Sequence, residues 1–154
     1  MKEKVLISAC LIGENCRYDG KSKKVAELLD LAMYYDLIPI CPEVSGGLKV
    51  PRSPSEIQGN KVMMKNGRDV TENYHDGAYW AYSICSLYHI KLAILEEKSP
   101  SCGVHYVHNG KFDGGLVEGM GITSQKLSSH GVKVINEEEA IALLHQLESK
   151  EEAK

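Results

Sequence analysis

Apolar residues in this chain alternate between short unbroken runs and stretches at helical spacing, which predicts strands and helices taking turns. Residues 4–9 (Lys4-Val5-Leu6-Ile7-Ser8-Ala9) read as a first buried strand. A polar loop follows from Leu11 to Gly20, and then a helix over about 22–36 with Ser22 as N-cap and Val25, Leu28, Leu29, Ala32 and Met33 on one face. Leu37-Ile38-Pro39-Ile40 reads as a second strand, placed at a sheet edge because Pro39 lacks a backbone donor. Residues 44–60 are rich in Gly and Pro, and loops of that length are usually functional or disordered. Val62 to Thr71 is expected to form a hairpin turning at Asn66-Gly67. The longest helix is expected over about 69–90, and the third strand at Lys91-Leu92-Ala93-Ile94-Leu95.

The rest of the chain continues the alternation. His105 to Phe112 reads as a second hairpin turning at Asn109-Gly110, and Thr123 to His130 as a short helix stopped by Gly131. Val132 to Ile135 is a fourth strand. Asn136 caps a last helix to about Leu147, with Glu137, Glu138 and Glu139 in the first turn, where the helix dipole favours them. The expected architecture is therefore α/β: one domain over residues 1–148 with a tail from Ser149 that frays, and an open, mainly parallel four-stranded sheet. Its strand order is 2-1-3-4, flavodoxin-like, with helices on both faces and two small β-hairpins. In such sheets ligands bind beyond the carboxyl ends of the strands, and this order brings the ends of the first three strands together.

Composition narrows the function classes. The chain has 154 residues, a net charge of −3 and no basic block, so a nucleic-acid polymer is not the expected partner. No run approaches the roughly 18 apolar residues of a membrane span. Five dispersed cysteines without a secretory signal point to a reducing cytoplasm, where grouped thiols more often mean metal or catalysis than disulfides.

Three of those thiols stand at equivalent places. Cys10, Cys41 and Cys102 each follow a predicted strand, the last within Ser99-Pro100-Ser101-Cys102-Gly103. Neighbouring strands lie about 4.8 Å apart, so three such residues can converge on one object. Grouped thiolates suit zinc, copper(I) or iron–sulfur chemistry, although no C-x-x-C spacing is present. Cys85 fits a buried helix face, and Cys16 is either a further ligand or a disulfide partner for Cys10. Glu43, two residues past Cys41, is placed to act as a general base or to form a salt bridge. Ser99 and Ser101 either cap their turn or relay a proton. Arg17, Asp19 and Arg52 either contact an anionic or carbonyl group of a ligand or brace loops. His105, His108 and His130 are expected at the surface. The residues alone leave open a metal-cluster enzyme, a metal-free thiol protein using Cys10 and Cys16, and a non-catalytic small-molecule-binding module.

Taken together, Ser8-Ala9-Cys10-Leu11-Ile12-Gly13 with Cys16-Arg17-Tyr18-Asp19-Gly20, Cys41-Pro42-Glu43-Val44 with Gly46-Gly47-Leu48, Pro51-Arg52 with Pro54, and Ser99-Pro100-Ser101-Cys102-Gly103 resemble the signatures of the bacterial thiouracil desulfidase family, long labelled a domain of unknown function. The resemblance implies a [4Fe-4S] cluster held by three cysteines, here Cys10, Cys41 and Cys102, with one iron open to a substrate sulfur and Cys16 outside the ligand set. It implies non-redox conversion of a thiocarbonyl to a carbonyl with release of hydrogen sulfide, Glu43 activating water and Ser101 moving a proton. Ser8, Arg17, Asp19, Arg52 and Ser99 are the expected substrate contacts. The expected substrate is a small thiolated base or thioamide.

Overall fold

The structure is a computed structural model and describes residues 2–153. Its centre is a four-stranded parallel sheet of order β2-β1-β5-β8, made from β1 (Glu3–Ser8), β2 (Tyr35–Ile40), β5 (Leu92–Ile94) and β8 (Lys133–Ile135). This is the expected order 2-1-3-4. β1 pairs with β2 from Glu3↔Tyr35 to Ser8↔Ile40, and with β5 at Leu6↔Ala93 and Ile7↔Ile94, so the three carboxyl ends lie side by side. Pro39 sits on β2, the edge strand.

Alternation along β1 supplies both cores. Val5 and Ile7 face one layer with Leu28, Leu31, Ala140 and Leu144, the last two from α4 (Glu137–Glu152). Leu6 faces the other layer with Ala81, Cys85 and Leu127, from α2 (Thr71–Tyr88) and α3 (Ile122–Ser129). Val5, Leu6 and Ile7 are at most 1% exposed, and fully burying a side chain of this kind stabilises by about 1.5–3 kcal/mol. Asn136 caps α4 through a capping box with Glu139.

Several elements depart from the expected pattern. The helix expected over 22–36 is a 3-10 segment, Ala26–Met33, and Ser22 does not cap it. Its buried residues, Leu28 and Leu31, are three apart, which matches a three-residue turn, while Leu29 and Met33 of the expected α-helical face are 42% and 71% exposed. Residues 44–60 are not structureless: α1 (Pro42–Ser45) opens them and β3 (Ser55–Gln58) closes them. β3 pairs with β4 (Lys61–Met64) across Gly59-Asn60, a hairpin not expected, while β4 also folds back at Asn66-Gly67 as expected, with Met63 bridged antiparallel to Asp69 and the Met64 N–H on the Arg68 carbonyl. The second hairpin joins β6 (Tyr106–His108) to β7 (Leu116–Glu118) across a loop of residues 109–115 rather than a two-residue turn. The tail expected to fray from Ser149 is helical to Glu152, continuing α4. Among the described residues no helix is long and apolar enough to cross a membrane.

Candidate active site

A cavity of about 350 Å³ opens at the carboxyl ends of β1, β2 and β5. Cys10, Cys41 and Cys102 all line it, as the strand-end argument requires. Cys10 stands in the 3-10 turn Ala9–Ile12 after β1, Cys41 between β2 and α1, and Cys102 in the turn after β5. Cys10 and Cys102 are each 5% exposed, and all the chain's cysteines are free thiols. Gly103 is needed by close approach: a Cβ there would meet the Tyr106 and Ser99 carbonyl oxygens at 2.6 and 2.8 Å.

Cys16 lines the same cavity, and its thiol lies between those of Cys10 and Cys41. Hydrogen bonding to Cys10 pushes Cys16 up to about 12, with Cys41 opposing and burial adding. Cys41 is raised by the Cys16 contact and by burial. Cys102 is raised by burial, with the Ser8 hydroxyl working the other way. Cys10 is favoured as a thiolate by Cys16, yet burial and the neighbouring Glu96 carboxylate raise it. Thiols so placed keep their protons until a cation compensates the thiolate. Among the described residues no three Cys, His, Asp or Glu side chains gather tightly enough for a single ion. Soft sulfur donors spread around a cavity fit a polynuclear group better than one tetrahedral ion.

Glu43 lies on α1 and lines the cavity. Its Oε1 accepts from Arg52 Nε at 3.2 Å, Arg52 Nη2 at 3.1 Å and the Tyr74 hydroxyl at 2.7 Å. Its Oε2 has no hydrogen-bond partner among the described residues. Tyr74 is 1% exposed, and burial, with Glu43 beside it, holds its hydroxyl protonated and donating. Glycine lets α1 sit directly on α2: a Cβ on Gly77 would strike the Pro42 carbonyl, and one on Gly46 the Asn73 carbonyl.

The other predicted residues divide. Ser8 is 2% exposed; its Oγ accepts from the Glu96 N–H at 3.0 Å, and its hydroxyl favours the thiolate of Cys102 against burial. Arg17 lines the cavity between Asp19 at 3.7 Å and Glu96 at 4.0 Å. Asp19 is outside the lining, and its Oδ1 accepts from the Lys21 N–H, so it braces its loop. The Arg52 side chain is 4% exposed, and besides Glu43 it donates to the Cys16 and Lys49 carbonyls, both at 3.0 Å. Ser99 lines the cavity, and its Oγ accepts the Ser101 and Cys102 N–H groups. Ser101 does not line the cavity. It is 1% exposed and its hydroxyl pairs with Thr123 at 2.9 Å, because the turn aims it into the start of α3.

Further residues carry weight that the sequence did not signal. Glu96 accepts from the Cys10 thiol at 2.9 Å, and burial raises its carboxyl despite Cys10, Lys23 and Arg17. Burial alone would raise Glu97, but hydrogen bonds from Asn136 and from the N–H groups of Tyr106, His105 and Val104 hold it below the ordinary carboxylate value, tying down the chain after Cys102. Glu56 and Phe112 line the cavity from the hairpins. His108, expected at the surface, also lines it, with Nδ1 buried and unpaired among the described residues.

The comparisons with known proteins fit this geometry. The sequence model of the 2-thiouracil desulfurase family matches residues 5–139. A Bacillus subtilis (strain 168) protein named "Uncharacterized protein YbbK" is 36% identical, across 88% of this chain and 96% of that protein. A solved structure of the [4Fe-4S]-dependent thiouracil desulfidase TudS superposes with a TM-score of 0.87 at 41% identity, covering 95% of this chain and 99% of the other. With the match spanning the strand ends, the thiols and Glu43 alike, the chain belongs to the 2-thiouracil desulfurase family.

Proposed function

We propose that this protein is a [4Fe-4S]-dependent desulfidase that converts a thiolated nucleobase, thiouracil or a close relative, to its oxo form. One thiocarbonyl and one water give one carbonyl and one hydrogen sulfide, with no net oxidation or reduction. The observation that carries the reading is the convergence of three strand-end thiols and a braced, half-free carboxylate on one cavity. Cys10, Cys41 and Cys102 are the ligands in this reading. A cluster so held, with one iron free of protein, supplies a soft Lewis acid for the thiocarbonyl sulfur.

The chain's own residues do the rest. Arg52 and Tyr74 hold Oε1 of Glu43, so Oε2 is the oxygen that takes a proton from the attacking water. Arg52 therefore acts through Glu43, not by touching substrate. The Ser99 Oγ accepts two N–H groups and keeps its own hydrogen to donate at the leaving sulfur. That role passes to Ser99 from Ser101, which is sealed against Thr123. Ser8 orients Cys102, and Arg17 holds the rim where a ring carbonyl can accept from it.

The test is anaerobic reconstitution with iron and sulfide followed by 4-thiouracil turnover. A brown protein with about four irons per chain, releasing uracil and sulfide, is expected. A colourless protein without iron would return the metal-free reading, which the Cys16–Cys10 contact favours. In that case Cys16→Ser, not Cys41→Ser, would abolish activity.

A further inference from the structure

Glu56 sits on β3 at 7% exposure and lines the cavity. Its Oε1 accepts the Gly110 N–H at 2.9 Å and the Phe112 N–H at 3.2 Å. Its Oε2 has no partner among the described residues. Among the described residues the sealed unpaired polar atoms are Ser55 Oγ, His108 Nδ1 and Glu137 Oε2, so Glu56 Oε2 is not one of them and stays open to solvent or to a ligand in the cavity that Glu56 lines. Phe112, held by Oε1, has φ +54°, a left-handed conformation uncommon for a bulky residue. Conformations of that kind persist where the surroundings over-determine them, and here Gln58 adds a 2.7 Å bond to the Gly110 carbonyl. The outcome is an aromatic ring on the cavity next to a carboxylate with one free acceptor.

We propose that Glu56 reads the substrate: Oε2 accepts a ring N–H of the thiolated heterocycle while Phe112 covers one face of the ring. This rests on the reading of the cavity as a desulfuration site and adds what that site selects, a planar lactam or thiolactam with a ring N–H. Glu56 is a specificity residue. Phe112 is a platform, and the same carboxylate positions it.

Glu56→Gln separates the two oxygens. The two loop N–H groups require the Gln carbonyl where Oε1 was, so the side-chain amide nitrogen stands where Oε2 was and faces the ring N–H donor to donor. The probes are uracil and 1,3-dimethyluracil, neither of which carries sulfur, and binding is measured by calorimetry on the cluster-loaded protein. Wild type should prefer uracil by roughly 100-fold, Glu56→Gln should bind the two alike and weakly, and iron content should not change. Phe112→Ala should weaken uracil about tenfold. Equal uracil affinity in wild type and Glu56→Gln overturns the proposal, as does a wild type that binds no uracil. Loss of iron together with binding also overturns it, since Glu56 is then only a brace. If Glu56→Gln does not fold, the uracil preference of wild type decides. 4-Thiouracil turnover, run in parallel, is a separate readout: turnover with no Glu56 effect leaves the desulfidase reading and removes this one, and Glu56-dependent uracil binding without turnover does the reverse.

Discussion

Cys10 and Cys41 stand directly after the parallel strands β1 and β2, and Cys102 in the turn that follows β5, whereas Glu56, His108 and Phe112 stand on two separate two-stranded hairpins. In the first set, Cys10 and Cys41 are placed by backbone pairing that runs through the middle of the molecule, with both faces covered, while Cys102 is fixed in its turn by Ser99 on its N–H and Ser124 on its carbonyl. The second is placed by side chains: Glu56 holds a loop, Gln58 holds the same loop, and β3 lies against β6. The lesson is a division of labour. On the proposed reading, the thiols that would hold a rigid inorganic group gather at the end of the sheet, and the groups that would fit an organic ring rest on loops fixed by a few polar bonds.

The sharpest way to break that division is to remove a sheet-borne thiol. Cys41→Ser or Cys102→Ser should lose bound iron and drop turnover by more than the roughly 100-fold that losing an outer partner of a metal site costs, read by iron assay and visible absorbance. Glu43→Gln should do the opposite, keeping the iron while kcat falls about 10²–10⁴-fold. Tyr74→Phe removes one of three donors to Oε1 and should cost about tenfold in kcat with KM little changed. Gly77→Ala forces α1 away from α2 and should destabilise by about 1–3 kcal/mol, seen as a Tm several degrees lower together with a smaller kcat, because Glu43 rides on α1.

The smallest effect is a pH dependence. The Glu97 carboxyl is held below its unfolded value, so its stabilisation is complete above about pH 4.3 and is lost as pH falls through the folded value. Glu97→Gln should therefore be less stable than wild type at pH 7, and the gap should close in denaturant melts below about pH 4.

What the sequence disclosed follows the same division. Strand runs followed by cysteine, Pro39 at an edge and the Asn136 cap are local signals, and they delivered the strands, the three thiols and the start of α4, while the order 2-1-3-4 came from the arrangement that alternating strands and helices favour. Ser99 and Ser101 could not be told apart, because which hydroxyl faces the cavity depends on how the turn packs on α3, far along the chain. Tyr74 and Glu56 carry no local mark, since each acts on a partner more than thirty residues away. The segment before β2 misled because its apolar residues satisfy an α-helical face on paper, while burial selects every third residue.

The strand order also sets a sequence of events in time. β1 lies between β2 and β5, so the last thiol arrives only after the whole of α2 has been synthesised. A nascent chain that ends before Cys102 offers two thiols on an unfinished sheet edge and nothing to close the third side. On the proposed reading, with Cys10, Cys41 and Cys102 as ligands, metal insertion would follow assembly of the central strands, and a seated cluster would tie the first strand to the third as well as the second. Removing it should loosen the sheet as a whole, so a chelator would act on this protein as a denaturant as well as an inhibitor.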